Sequence, residues 1–201
     1  MQISEITAFL EDAYDILNVH LFGGELPRAV ITVQSSPKAY GYITTTEIWH
    51  DTDKGYREIN IGAEYLDRPV ENVIATLVHE QTHFWNSIHG IKDTSRSGTY
   101  HSRRFKESAE AHGLIIDYDP KIGYSLTTPS PALIAFIEDQ GWTGISLARN
   151  GGVGASDGAT GKKKSSTRKY ICPVCGTSVR ATKFVNIGCL DCQAIMVLDE
   201  K

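Results

Sequence analysis

One stretch of the sequence, LVHEQTHFWN at positions 77–86, restricts the possible fold more than any other. His79 and His83 are four residues apart, and Glu80 directly follows the first histidine. On an α-helix, residues four apart lie on one face about a turn apart, so both imidazoles can bind one metal ion. Glu80 would then face a side where its carboxylate can meet a metal-bound water. The pattern therefore predicts a helix here, with a zinc site on one of its faces.

So short a pattern also occurs by chance in helices that bind no metal. The surrounding sequence favours the metal site, because after Pro69 apolar residues recur at helical spacing up to a possible C-cap at Gly90. A face of His, Glu and His inside an apolar helix needs partners, and a metal ion would supply one. We therefore predict that zinc binds His79 and His83 and that Glu80 is the catalytic base.

A catalytic zinc ion usually takes three protein ligands and keeps one open position, so a third ligand is expected. Spacing leaves several choices: His89 on the same helix, His101 after a loop long enough to fold back, and Glu107 or Glu110 on a following helix. His89 has nearly the metzincin spacing, but Asn86 stands where that motif has glycine. Spacing alone favours His101 only slightly over the others.

The first 145 residues have the patterns of an α+β domain. Apolar periodicity predicts four helices, over 3–21, from Pro69 to Gly90, near 102–112 and over 130–142. Short β-rich runs predict strands at 29–34, 39–49, 56–62 and 114–119. We expect a zincin-like domain in which helices pack on a small antiparallel sheet. The run at 57–61 is expected at a sheet edge, where an extended substrate could pair.

Composition supports a folded body and separates it from the end of the chain. The chain has 201 residues, of which 41% are hydrophobic, so it can bury a core. Residues 1–160 carry 12 Lys/Arg against 21 Asp/Glu, whereas residues 161–201 carry 8 against 3. Gly, Ser and Lys dominate residues 147–168. This composition predicts a domain at 1–145, a flexible basic linker at 146–168 and a module at 169–201. Any anionic partner is expected to meet the basic end.

All four cysteines lie in CPVCGTSVRATKFVNIGCLDC, where two C-x2-C pairs are separated by 13 residues. Two tight pairs can close a tetrahedral site without an open position, so a structural zinc ribbon is predicted. A redox C-x-x-C would need one pair near a βαβ unit rather than two pairs in a terminal module. The predicted ligands are Cys172, Cys175, Cys189 and Cys192.

The same cysteine distribution bears on the compartment. No cysteine is left to form disulfides in the body, and the N-terminus lacks the basic and apolar regions of a signal peptide. No apolar run approaches the length of about 20 residues that a membrane span needs. We therefore expect a cytoplasmic protein, with the nucleoid as a second location and no membrane partner.

Basic residues surround the cysteines, with no acidic residue between 158 and 190. They are Lys162, Lys163, Lys164, Arg168, Lys169, Arg180 and Lys183. Tyr170 and Phe184 could stack on bases, so this region is a candidate for binding nucleic acid, with single-stranded DNA preferred. The alternative is a solvated basic linker that keeps a small module in solution.

Several stretches, in order along residues 4–120, carry a resemblance to a known family. They are LNVHLFGGELP (17–27), AYGYI (39–43), REINIGAEYL (57–66), VIATLVHEQTHFWN (73–86) and YHSRRFKESAEAHGL (100–114). The chain resembles the SprT-like zinc metalloproteases, which include Spartan. In that family a histidine followed by an aromatic residue is the third ligand, and His101 with Phe105 matches it. The resemblance also implies Glu80 as the base and a C-terminal zinc ribbon.

The resemblance implies a zinc-dependent endopeptidase with two zinc ions, one catalytic and one structural. Its substrates are proteins, and because some family members digest proteins crosslinked to DNA, DNA-associated proteins are expected among them. The alternative is a module that binds nucleic acid or protein and has a weakly active or inactive zincin body. The presence of Glu80 favours the enzyme, because a structural site has no need of that carboxylate.

Overall fold

The computed structural model describes residues 1–150 and 167–199. The chain divides into two units, Met1–Ala155 and Ser156–Lys201, and each is described here by itself. The predicted linker at 146–168 lies mostly outside the described residues, and so do Lys162, Lys163 and Lys164.

Four helices form in the N-terminal unit where apolar residues recur at helical spacing. They are α1 (Ile3–Phe22), α2 (Val70–Ile88), α3 (Arg103–Ala111) and α4 (Pro131–Asp139). α1 ends at Gly23, which has φ 64° and donates its backbone N–H to the Asn18 carbonyl. α4 begins after Ser130, whose hydroxyl accepts the Leu133 N–H as an N-cap. These boundaries lie close to the predicted ones because local spacing and capping determine them.

The strands of this unit form three sheets. In chain order they are β1 (Val30–Gln34), β2 (Gly41–Ile43), β3 (Trp49–His50), β4 (Gly55–Tyr56), β5 (Glu58–Gly62), β6 (Thr94–Ser95), β7 (Tyr100–His101), β8 (Leu114–Asp119) and β9 (Gly123–Pro129). β1, β5 and β2 form one sheet in that order, β3 pairs with β4, and β6, β7, β9 and β8 form the third. The predicted strands at 29–34, 56–62 and 114–119 are present, whereas β6, β7 and β9 were not predicted.

The first sheet is mixed, so the prediction of an antiparallel sheet is wrong. β1 pairs with β5 in parallel, from Val30 opposite Glu58 to Gln34 opposite Gly62, while β2 runs antiparallel to β5. β5 is therefore the central strand, with all five residues buried, and the expected sheet edge at 57–61 is also wrong. The chain between β1 and β5 crosses over and places β2 on the far side of β5, which strand periodicity cannot reveal.

The core of the N-terminal unit joins α1, α2, α3 and α4 to these sheets. Its fully buried side chains include Ile6, Leu10, Leu17, Ile59, Ile61, Ile74, Leu77, Phe105 and Ile116. Ile145 is buried in the same core, and the Arg149 N–H donates to the Ala63 carbonyl. Segregated helices and small sheets make this an α+β unit, which confirms the predicted class.

The C-terminal unit consists of short antiparallel strands. They are β10 (Arg168–Ile171), β11 (Ser178–Ala181), β12 (Gly188–Cys189), β13 (Ala194–Ile195) and β14 (Val197–Leu198). β11, β10 and β14 form one sheet in that order, and β12 pairs with β13. The buried cluster consists of Tyr170, Cys172, Cys189 and Met196. So small a core supplies little stability by itself, and units of this size usually need a metal ion or a disulfide to stay folded. The cysteines inside the core are the residues that could provide such a link.

Candidate metal centre

Three histidine side chains converge in the N-terminal unit. The Nε2 atoms of His79 and His83 are 3.2 Å apart. The Nε2 atom of His101 lies 3.2 Å from that of His79 and 3.0 Å from that of His83. A metal ion with Zn–N bonds of about 2.0–2.1 Å and tetrahedral geometry would separate two ligand nitrogens by about 3.3–3.4 Å. The observed separations differ from this value by a few tenths of an ångström, so the three imidazoles fit one zinc ion.

The other ring nitrogen of two histidines has a defined partner. Thr127 donates its hydroxyl proton to the Ser125 carbonyl at 3.1 Å, so the same oxygen accepts the Nδ1–H of His79 at 2.8 Å. The Nδ1–H of His83 donates a hydrogen bond to the Asp93 carboxylate at 2.7 Å. Both Nε2 atoms therefore direct lone pairs at the centre, as metal ligation requires.

Burial and the neighbouring imidazoles lower the pKa of two of the three histidines, His79 and His101. Burial, and then proximity to the other two imidazoles, holds the pKa of His79 well below its ordinary value. Burial and the nearby His83 lower the pKa of His101 to about 4, although the Ile122 backbone opposes this. Burial raises the pKa of Asp93, but hydrogen bonds from His83 and Asn86 outweigh it and bring the pKa below its usual value. Three convergent imidazoles supported by an anionic carboxylate make a suitable donor set for a divalent cation.

His101 is held in place by the start of β9. Its backbone N–H donates to the Ile122 carbonyl at 2.9 Å, and it pairs with Gly123 across the parallel bridge. Gly123 has φ 74°, and a Cβ there would lie 2.1 Å from the His101 carbonyl oxygen, so only glycine fits. Phe105 is fully buried beneath the site, with its ring centroid 4.4–4.8 Å from those of the three imidazoles.

Glu80 lies beside the histidines and is buried, with 6% of its surface exposed. Burial raises the pKa of its carboxyl group to about 7, against the opposing effects of His83 and a backbone hydrogen bond from Ile43. β2 packs directly on this part of α2, since a Cβ on Gly41 would lie 3.0 Å from Thr76 Cγ2 and 3.4 Å from Glu80 Cγ. A carboxyl group with a pKa near neutrality can both accept and return a proton.

A cleft of about 940 Å³ opens over this centre. Its walls come from β2 and the chain before it, from one face of α2, and from β9. His79, Glu80, His83 and His101 all line it, so the histidines and the carboxylate face one space. A cleft of this size can hold a peptide segment or a small molecule.

The other candidate ligands lie elsewhere. His89 is the C-cap residue of α2, and its Nε2 lies 2.9 Å from the Glu25 carboxylate. Glu107 pairs with Arg103 at 3.2 Å and Glu110 with Lys106 at 3.4 Å, each on the exposed surface of α3. None of them joins the histidine group, which consists of His79, His83 and His101.

Sequence reasoning missed Asp93 and Thr127, the two residues that orient His83 and His79. Ligating histidines usually donate their second nitrogen to a carboxylate or carbonyl, which predicts that such a partner exists. The sequence does not say which of 24 acidic residues takes that role. No local pattern indicates Thr127, because β9 reaches His79 only through the tertiary fold.

The four cysteines of the C-terminal unit also converge. Their Sγ atoms all lie within 4.8 Å of one another, all four thiols are free, and those of Cys175 and Cys189 are 3.7 Å apart. Zn–S bonds of about 2.3 Å place tetrahedral sulfurs about 3.8 Å apart, so the group fits a metal ion. Backbone hydrogen bonds shape the first pair into a turn, from Cys172 N–H to Thr177 and from Gly176 N–H to Cys172. This group could bind metal with all four positions taken.

The described basic residues of this unit do not form one surface. Lys169 and Arg180 are opposite each other on β10 and β11, and Lys169 forms an ion pair with Asp199 at 3.0 Å. Arg168 lies on the other face of β10, with its guanidinium 3.9 Å from the centroid of Phe184. Phe184 is 73% exposed.

Tyr170 was expected to be free to stack on a base, and this expectation is wrong. Its side chain is buried, with 6% of its surface exposed, and its hydroxyl accepts the Val185 N–H. Tyr170 precedes Cys172 by two residues, so both side chains point to the same side of the chain, and both belong to the buried cluster of this unit. Lys183 follows β11 on the surface.

Comparisons with family models, with curated proteins and with solved structures give no match for this chain. The resemblance to SprT-like metalloproteases therefore remains a prediction from the sequence. In the part of the chain that the structure describes, no helix combines the length and apolar character that crossing a membrane would require.

Proposed function

We propose that this chain is a zinc-dependent endopeptidase of the HExxH type that cleaves protein substrates in the cleft over α2. One observation carries the proposal: three imidazoles direct Nε2 atoms at one point, within 3.2 Å of one another, and Glu80 lies beside them. A purely structural site would have no use for a buried carboxylate at that place. The zincin-like identity of the N-terminal unit is part of the same proposal.

His79, His83 and His101 would hold the catalytic zinc, with one coordination position left for water or substrate. When bound there, zinc supplies a Lewis acid that activates water and polarises the scissile carbonyl. Glu80 accepts the proton of the attacking water and passes it to the leaving amine. In the metal-free site burial raises the pKa of Glu80 to about 7. A zinc ion on the histidines would favour the ionised carboxylate, which is the form that accepts the proton.

The cysteine group would hold a second, structural zinc ion in a zinc ribbon. Four thiolates take all positions of a tetrahedral site, so this ion cannot bind substrate. Zinc would also contribute to the stability of the unit, whose buried cluster is small.

DNA-associated or DNA-crosslinked proteins are the substrates that we propose. The support comes from the sequence resemblance and from the basic C-terminal region, where Arg168 and the exposed Phe184 offer a charge and a ring for single-stranded DNA. In this proposal the ribbon brings the enzyme to DNA, and the cleft cleaves the protein found there.

The test is cleavage of a purified histone and of denatured casein, with and without a single-stranded oligonucleotide, by wild type and Glu80→Gln. Wild type and Glu80→Gln must first be shown to contain two zinc ions per chain. We expect cleavage by wild type only, with faster cleavage of the histone when DNA is present. Equal cleavage by wild type and Glu80→Gln would refute the endopeptidase and leave the alternative, a binding module with an inactive zincin body. Cleavage that ignores DNA would refute the DNA-associated substrate alone.

A further inference from the structure

Arg57 lies in the wall of the cleft and has no acidic partner. It precedes β5 and is among the residues that line the cleft, together with Ser87 of α2. Within residues 1–150 and 167–199, no carboxylate forms an ion pair with its guanidinium. A half-buried cation that faces a cleft without a counter-ion is a candidate for binding an anionic group of a ligand.

Two contacts from α2 hold the guanidinium in position. Its Nη1 donates to the Ser87 hydroxyl at 2.9 Å, and its Cζ lies 5.1 Å from the centroid of the Phe84 ring. Neither contact neutralises the charge. The arginine is therefore oriented before any ligand binds, which lowers the entropic cost of forming a bidentate hydrogen bond.

The position of Arg57 relates it to the proposed chemistry. Ser87 is four residues after His83 on α2, a distance of about 6 Å along the helix axis. An extended peptide advances about 3.3 Å per residue, so an offset of that size along the helix corresponds to about two residues of a substrate. A substrate side chain at that distance could reach it.

Within residues 1–150 and 167–199, none of the acidic side chains that line the cleft forms an ion pair with Arg57. Asp93 accepts hydrogen bonds from His83 and Asn86. Glu80 packs against β2 beside the histidines, and Asp117 is on β8. Each therefore leaves the charge of Arg57 available.

We propose that Arg57 is a specificity-determining residue that binds a substrate carboxylate about two residues from the scissile bond. The inference rests on the proposed endopeptidase function and adds to it a local requirement, a carboxylate near the scissile bond. The carboxylate belongs to an Asp or Glu side chain or to the C-terminus of the substrate chain, since a guanidinium binds both in the same way. Arg57 contacts the substrate but takes no part in moving a proton.

The experiment begins with denatured casein and maps its cleavage sites by mass spectrometry. Peptides are then synthesised around one preferred site in matched forms, with Glu or Gln at the acidic position and with a free or an amidated C-terminus. Wild type, Arg57→Met and Arg57→Lys are compared by kcat/KM. Arg103→Met is the matched control, because it removes the same charge from an exposed site on α3.

We expect wild type and Arg103→Met to prefer the carboxylate form by about tenfold, as one charge-assisted hydrogen bond would give. Arg57→Met should lose this preference and Arg57→Lys should keep part of it. If Glu against Gln carries the preference, the partner is a side chain, and if the free against the amidated end carries it, the partner is a C-terminus. A uniform loss of activity in Arg57→Met, with a lower unfolding temperature and unchanged selectivity, would show a structural role and overturn the proposal.

Binding separates this proposal from the proposed function. The affinities of Glu80→Gln, with and without Arg57→Met, are measured for the same peptide pairs by fluorescence anisotropy. A preference for the carboxylate that Arg57→Met removes would support the subsite even if wild type cleaved nothing. Equal binding of both forms, or binding of a single-stranded oligonucleotide that alone depends on Arg57, would overturn it.

Discussion

Asp93 should control how tightly the histidine site holds zinc. Its Oδ2 accepts the Nδ1–H of His83 at 2.7 Å and the amide of Asn86 at 3.0 Å, and Asn86 is fully buried. Asp93→Ala removes both acceptors at once. His83 would then lose the bond that holds its ring orientation and tautomer, and the Asn86 amide would be left without a partner.

The magnitude follows from these two bonds. A buried donor that loses its acceptor costs about 1–3 kcal/mol, and the bond from His83 is charge-assisted. Only the part of this cost that is specific to the zinc-bound state weakens zinc binding. We therefore expect the free energy of zinc binding to fall by about 1.4–2.8 kcal/mol, which is about 10–100-fold in zinc affinity. Asp93→Asn keeps an acceptor without the charge and should lie at the lower end of that range.

The assay is competition for zinc with a chromophoric chelator at neutral pH. Two zinc ions per chain are expected, and only the histidine-bound one should be released more readily in the variant. Asp117→Asn is the matched control, because Asp117 also lines the cleft but forms no hydrogen bond with a histidine. Zinc affinity of Asp93→Ala within twofold of wild type would refute the reasoning, and so would equal weakening by Asp117→Asn.

Three further predictions follow from the two centres. The raised pKa of Glu80 means that its ionisation destabilises the metal-free protein as pH rises from about 4.5 to about 7. In chelator, Glu80→Gln should therefore be more stable than wild type above pH 7 by no more than about 3 kcal/mol, and equally stable at pH 4, as urea denaturation would measure. Gly123→Ala meets the His101 carbonyl and a φ of 74°, so it should lower the free energy of unfolding by more than about 1 kcal/mol and weaken zinc binding. Gly144→Ala, with no atom near its Cβ, should change neither, and equal effects of both substitutions would contradict the account. Cys172→Ser should reduce zinc from two ions to one per chain and unfold the C-terminal unit alone; one ion in wild type and none in the variant would exclude the histidine site.

Features that depend on local spacing could be predicted from the sequence. The α2 helix, with His79 and His83 on one face and Glu80 between them, follows from periodicity, as do the other three helices and the α+β class. The cysteine spacing predicted a group that could bind a metal, and the four Sγ atoms do come together. In each case the information lies within a few helical turns or one short hairpin.

The tertiary structure decided everything that depends on which distant segments meet. It placed β5 between β1 and β2, it brought His101 rather than His89, Glu107 or Glu110 to the other histidines, and it supplied Asp93 and Thr127 as their partners. The physical reason is that strand pairing and the hydrogen bonds that orient the histidines join residues up to 48 positions apart, as between His79 and Thr127, and no local periodicity encodes them. The sequence by itself determined a helix that presents two histidines and a glutamate, and the fold determined which third histidine joins them and which groups orient them.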